Sequence, residues 1–256
     1  MKKSQWAVLA LQGAFFAGLI ALWQMVSALK LLPEMFLPPP LQVAQVIRRG
    51  FLDQTLILAI AFSLRRFLIG YGISLLLGIP LGLVLGRVRW LNHTFGAAAL
   101  GLQSMPSICW LPLAVLWFGL NEAAMQFVIV MGSLLAITLA TRDTVKAIPK
   151  LILRAAQTLR VKPGAMYLHV ILPASIPGIV SGARLGWSFA WRSLMAAEML
   201  YVTTGLGSTL TMGRELHDMG MVLASMAMIL GVGLLFNHWV FGSLERIIQV
   251  RWGVSE

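Results

Sequence analysis

The sequence has 256 residues, 59% of them hydrophobic and 11% charged, with a mean hydropathy of +0.84. That composition excludes a water-soluble globular surface and places the chain in a bilayer. The net charge of +11 is carried by Lys and Arg residues lying mostly between apolar runs, which reads as topology signalling and not as a nucleic-acid stripe, and the single cysteine, Cys109, excludes an intramolecular disulfide or a cysteine metal cluster.

Lys2 and Lys3 precede an apolar run over 6–29. The run exceeds the usual signal-peptide core of roughly 7–15 residues, so an uncleaved first span is expected. Leu37-Pro38-Pro39-Pro40 must turn the chain, because proline lacks an amide hydrogen and restricts the residue before it. Residues 41–50 set Leu41, Val43, Val46 and Ile47 beside Arg48 and Arg49, the pattern of a short helix on the membrane surface. Span two is predicted over 67–86, bracketed by Arg65-Arg66 and by Arg87 with Arg89, and its Gly70, Gly72, Gly78 and Gly82 suit close helix packing.

Span three, over 94–120, is expected to be kinked by Pro106 and Pro112, with freed carbonyls satisfied by neighbouring helices. Spans four, five and six follow over 123–141, 176–201 and 220–241. The predicted fold is an all-α integral membrane protein of about six transmembrane helices, one domain over 1–256. Placing the N-terminus inside puts twelve basic residues in cytoplasmic segments against six outside (Lys30, Arg48, Arg49, Arg65, Arg66 and Arg214), which favours both termini being cytoplasmic.

The largest cytoplasmic excursion is the loop over about 143–173. Pro149 is suited to begin a helix, residues 150–160 are strong helix formers, and Lys162-Pro163-Gly164 ends it. Leu151, Ala155, Thr158 and Leu159 fall on one side at three- and four-residue spacing, and Ala155-Ala156 keeps the surface shallow enough for another protein to approach. From charge alone, a solvated loop that anchors the topology explains the segment at least as well.

Arg154-Ala155-Ala156, then Arg160, then Val170-Ile171-Leu172-Pro173 resembles the "EAA" coupling loop of binding-protein-dependent ABC importer permeases, in its spacing throughout. Arg154 stands where that family often has Glu, and Arg160 where it usually has Gly. Leu37-Pro38-Pro39-Pro40, Leu111-Pro112-Leu113, Trp117-Phe118-Gly119, Ala196-Ala197-Glu198 and Gly205-Leu206-Gly207 are similar in order to the nitrate, sulfonate, taurine and bicarbonate branch. The resemblance implies a type I importer permease with a MetI-like fold in the bacterial inner (plasma) membrane. It implies a homodimer in membrane lipid, two cytoplasmic ABC ATPase subunits, and a periplasmic or lipid-anchored substrate-binding protein, with no nucleic acid. The ATPase contact is expected at Lys150, Leu151, Arg154, Ala155, Ala156, Thr158, Leu159, Arg160, Pro163 and Gly164.

No Gly-x-x-x-x-Gly-Lys-Ser/Thr phosphate loop occurs in the sequence, so ATP and Mg belong on the partner ATPase, no cofactor is expected on this chain, and the chain is not itself an enzyme. The expected cargo is a small anion of sulfonate, taurine, nitrate or bicarbonate type; a thiamine-precursor-like molecule is the alternative. A secondary transporter, a channel or a membrane-embedded enzyme are the rival classes, and the last lacks paired carboxylates or a nucleophile with a base.

Arg192 and Glu198 fall inside span five, where a charge near the bilayer centre costs about 2.5–3.5 kcal/mol, so both should face protein or water. The translocation path is expected to involve Arg192, Glu198, Trp187 and Trp191. For Glu198 a structural hydrogen bond to a neighbouring helix is the favoured role; Arg192 either offers a guanidinium fork to an oxyanion or pairs with Glu198. Arg184 is expected to hold a helix terminus or the loop. His93, His169, His217 and His238 lack metal-ligand spacing, and no metal site is expected.

Overall fold

The computed structural model describes residues 2–201 and 203–252, with residues 2–9, 163 and 249–252 described by backbone only. No strand occurs among the described residues. In chain order the helices are α1 (Lys2–Ala28), α2 (Pro40–Leu52), α3 (Thr55–Arg87), α4 (Arg89–Gln103), a 3-10 turn (Ser107–Trp110), α5 (Leu111–Phe118), α6 (Glu122–Ala147), α7 (Lys150–Thr158) and α8 (Pro163–Met166). A π-turn (Tyr167–Ile171) leads into α9 (Leu172–Glu198), followed by α10 (Leu206–Glu215), α11 (Met219–Phe236), a second π-turn (Asn237–Phe241) and α12 (Gly242–Trp252).

Five of the described segments are long and apolar enough to cross a membrane. A sixth is present if Arg89–Gln103 and Ser107–Phe118, bent by 103°, count as one broken span. The bend falls just before Pro106. Pro112, expected to kink the span, instead sits in the first turn of α5, where its missing amide hydrogen has no intrahelical partner to lose.

Span two begins earlier than the sequence predicts. α3 starts at Thr55 and runs 33 residues, about 50 Å at 1.5 Å per residue. Asp53, which ends α2, turns the chain into it, accepting from the Thr55 amide at 3.0 Å and hydroxyl at 2.7 Å. The Thr55 hydroxyl, then its amide, hold the Asp53 carboxyl below the usual carboxylate range. Leu56, Ala59, Ser63, Arg66 and Phe67 are buried at three- and four-residue spacing, so one stripe of the extension is packed. Arg65 and Arg66 therefore lie within the helix and not in a loop before it.

The chain divides into two compact units, residues 1–61 with 204–229 and residues 62–203 with 230–256. In the first, Trp23 on α1 donates its indole N–H to the Pro38 carbonyl at 3.0 Å, and Gly50 on α2 lies against Leu56. The proline run thus turns the chain as expected, and α2 is the short helix predicted after it.

In the second unit α6 is the central element, with Val128, Ile129, Ile137 and Thr138 fully buried. Lipid tails are as apolar as leucine, so helices associate in a bilayer through close packing, and small residues permit it. Two glycine ridges of four-residue spacing do this on either side of α6. On α3, a Cβ at Gly82 would stand 2.5 Å from the Thr138 carbonyl oxygen, and one at Gly78 would stand 3.1 Å from that of Leu134. On α9, Gly178, Gly182 and Gly186 face Thr144, Ala140 and Ile137 in turn, and a Cβ at Gly182 would lie 2.7 Å from that of Ala140. These contacts fix α3 and α9 close against α6, and with them the charged groups those helices carry.

Candidate functional site: an exposed loop helix and a charged cluster

The excursion between α6 and α9 is built from α7 and a turn. Pro149 caps α7 in extended conformation, and the helix runs from Lys150 to Thr158, two residues short of the predicted end. Its inner face is Leu153 and Ala156, packed with Val145, Ile148, Met166 and Ile171. Leu151 and Leu159, 78% and 79% exposed, stand on the open side with Ala155 and Thr158. The predicted face is therefore open, except that Ala156 belongs to the inside: the two alanines are neighbours 100° apart around the helix, so they cannot share a face. Lys150, Arg154, Arg160 and Gly164 are exposed as well; the Pro163 side chain lies outside the described residues. The Thr158 hydroxyl donates to the Arg154 carbonyl at 3.0 Å and is used within the helix.

α7 ends in a Schellman turn. The Val161 amide donates to the Ala156 carbonyl at 3.2 Å and the Arg160 amide to that of Gln157 at 2.9 Å, while Val161 packs on the Ala156 side. This geometry needs a left-handed residue after the cap, and Arg160 occupies it at φ 55°. The position where the motif usually carries Gly thus keeps the glycine conformation with an arginine in it. Arg160→Gly is expected to leave stability within about 0.5 kcal/mol, because relief of left-handed strain is offset by the entropy of glycine in the unfolded chain. Arg160→Val, β-branched, should lose about 1–2 kcal/mol. Thermal unfolding of the purified variants checks both; equal midpoints for Gly and Val would show that the turn does not need that backbone.

A second cluster joins α3, α6 and α9. Glu198, 0% exposed, accepts from Ser63 with both carboxylate oxygens at 2.8 Å and from Arg66 at 3.0 Å. Arg66, 2% exposed, also reaches Glu122 at 3.1 Å and the Thr203 hydroxyl at 2.7 Å. Arg65 closes on the other Glu122 oxygen at 2.7 Å. Glu198 therefore takes the structural role favoured for it, with Arg66 as its cation and not Arg192. Arg184, on the same helix α9, pairs with Glu245 of α12 at 2.7 Å and donates to Asn237 at 3.1 Å, so it holds a helix near its end as expected.

Arg192 faces a cavity of about 290 Å³ formed by the break before Pro106, by Met131, Gly132 and Leu135 of α6, and by Phe189 of α9. Its Nε donates to the Ser188 carbonyl at 3.1 Å, and its guanidinium stands 4.8 Å from the Phe189 ring centroid. Among the described residues no carboxylate lies within ion-pair distance of it. Trp187 and Trp191, grouped with it in the predicted path, do not line this cavity. Trp187 packs on Phe67 at 4.1 Å and on Phe236 at 4.4 Å between centroids, and Gly233 lies against the Trp191 indole nitrogen. Glu198 does not line it either. No group of three His, Cys, Asp or Glu able to hold a metal occurs among the described residues.

Residues 78–249 match the family described as "Binding-protein-dependent transport system inner membrane component". The chain belongs to this family. It is a permease subunit of an ABC importer of the inner membrane, and that membership implies an ATPase and a substrate-binding protein as partners. The permease is 32% identical over 218 residues to the "Taurine transport system permease protein TauC" of Escherichia coli (strain K12), covering 83% of this chain and 79% of the relative. It is 28% identical over 235 residues to the "Putative aliphatic sulfonates transport permease protein SsuC" of the same organism, covering 92% and 89%. Among solved structures it is similar to "Inward facing conformations of the MetNI methionine ABC transporter", with a TM-score of 0.66 at 17% identity, covering 76% of this chain and 96% of that one. That likeness shows the fold: the MetI-like importer permease architecture expected from the motifs.

Proposed function

We propose that the permease imports a small oxyanion of the sulfonate type, acting as a homodimer with two ATPase subunits that carry ATP and Mg and with a periplasmic or lipid-anchored binding protein. The observation that carries this reading is the exposed face of helix α7, which presents Leu151, Arg154, Ala155, Thr158, Leu159 and Arg160 outward from a packed base. A helix so placed moves as a rigid body when a partner groove closes on it, and α7 packs with Val145 of α6 and with Ile171 of the π-turn that leads into α9. ATP binding then biases the same two-state element that the substrate biases from the other side. Lys150, Ala156, Pro163 and Gly164 complete the segment, Ala156 from its inner face.

Both termini are cytoplasmic in this reading. This rests on the distribution of basic residues along the sequence, twelve in the inner segments against six in the outer ones. Arg192 supplies the anion contact on the path, and Trp187, Trp191 and Glu198 hold α9 in place behind it. The taurine and aliphatic sulfonate relatives support this class of cargo.

The test is uptake by the permease, its ATPase and its binding protein together in vesicles, with the binding protein first screened by calorimetry against taurine, alkanesulfonates, nitrate and bicarbonate. Accumulation should require ATP and the binding protein. Uptake by the permease alone without ATP would overturn the assignment.

A further inference from the structure

The walls of the Arg192 cavity carry information about what it accepts. Among the described residues its one formally charged lining group is Arg192; Gln103, Ser104 and Ser107 are neutral, and no described Asp or Glu lines it. Met105, Met131 and Phe189 contribute apolar wall. We propose that this cavity is a transient binding site for an amphipathic monoanion, a sulfonate or similar oxyanion bearing an apolar tail, and that it disfavours zwitterions whose second group is an ammonium. The proposal rests on the importer reading above and adds to it where the cargo pauses and which member of the class it is.

The geometry prepares the guanidinium for an oxyanion head. Nε is already engaged by the Ser188 carbonyl, which leaves the two terminal amino groups to act as the fork that matches a planar or tetrahedral oxyanion. The Phe189 ring covers one side of the exposed guanidinium in a cation–π contact. Ser107 and Gln103 bring neutral hydrogen-bonding groups, so an anion loses little when its water is stripped. An ammonium gains none of this. It has three donors to satisfy, meets no carboxylate, and shares a small space with the fixed positive charge of Arg192.

Size points the same way. The volume of about 290 Å³ lies near the lower end of small-molecule sites, roughly 300 Å³, far more than an inorganic oxyanion needs. Methionine side chains at 105 and 131 re-pack around tails of different shape. Gly132 keeps this wall thin, since a Cβ there would run into the Ser193 side chain and stand 3.3 Å from that of Ser107.

A thiol probe reads the site without depending on transport. Cys109 is exposed, so the background is Cys109→Ser, and Met131→Cys is introduced in the permease assembled with its ATPase in nanodiscs. Pentanesulfonate at about 10 mM is expected to slow maleimide labelling about fivefold, and taurine at the same concentration by less than about 1.5-fold. Arg192→Gln should abolish the pentanesulfonate protection and Arg192→Lys should keep part of it, with size-exclusion profiles confirming assembly. Ser107→Cys gives a second labelling position if Met131→Cys does not assemble. Equal protection by taurine would overturn the class, and no protection by either in a complex that still transports would overturn the site. Absence of ATP-driven uptake in the unsubstituted complex would instead count against the importer reading, which separates the two failures.

Discussion

Glu198→Ala is expected to destabilise the folded permease by about 3–5 kcal/mol, the range for breaking a buried ion pair by removing one partner. The alanine leaves Arg66, 2% exposed, with Glu122 and Thr203 as remaining anchors, which places the loss toward the lower end. It also removes the hydrogen bond between the buried Ser63 hydroxyl and this carboxylate. The double variant Arg66→Met with Glu198→Met replaces both charges by apolar side chains of similar length. It should recover most of the loss, since a well-packed apolar substitute for a buried pair is often neutral or better. Thermal unfolding of Arg66→Met, Glu198→Met and the double variant in detergent forms the cycle. If the double variant is as unstable as the sum of the singles, the pair is not a coupled unit and the helices are held by packing alone.

This pair was the least legible part of the sequence. Two adjacent arginines at the edge of an apolar window look like the end of a span, and the acid that meets Arg66 is 132 residues away. One local signal was available. From Phe67, the buried Ser63, Ala59 and Leu56 continue the three- and four-residue spacing upstream of the arginines, so the helix could be followed back to its start at Thr55. The alternative pairing of Arg192 with Glu198 was open on sequence and closed by helical geometry. Six residues at about 100° each set the two side chains 120° apart around α9, where a spacing of three or four would have joined them.

The spans and the loop helix were legible for reasons that are local. Apolar length marks a crossing whatever the tertiary arrangement, and Pro149 followed by helix formers marks a start. The glycine ridge on α3 was read in part through Gly78 and Gly82, whereas that on α9, Gly178, Gly182 and Gly186, was present at the same spacing and passed over. Which ring or charge faces a cavity is different in kind. Trp187, Trp191 and Arg192 are near neighbours in sequence, yet successive turns of α9 send the tryptophans to Phe67, Phe236 and Gly233 and the arginine to the break before Pro106.

The open face of α7 gives the other large effect. Leu151 and Leu159 are 78% and 79% exposed on a helix whose inner side is already packed, so their substitution leaves the fold's own contacts intact. Burying a leucine fully contributes about 1.5–3 kcal/mol. Leu151→Glu with Leu159→Glu removes two such contributions and adds carboxylates that a partner groove must desolvate. Association with the ATPase is therefore expected to weaken by at least about 100-fold, at 1.4 kcal/mol per factor of ten. Charge reversal at Arg154 and Arg160 should weaken it further, whereas Ala156→Glu should instead unfold the loop by forcing a carboxylate into the packed base. Copurification and ATPase-coupled uptake measure docking, and the thermal midpoint of the isolated permease measures folding. A normal midpoint with lost association places the contact on this face. Undiminished association in the double leucine variant would mean that the partner binds elsewhere on the cytoplasmic side and that the exposed leucines of α7 are incidental.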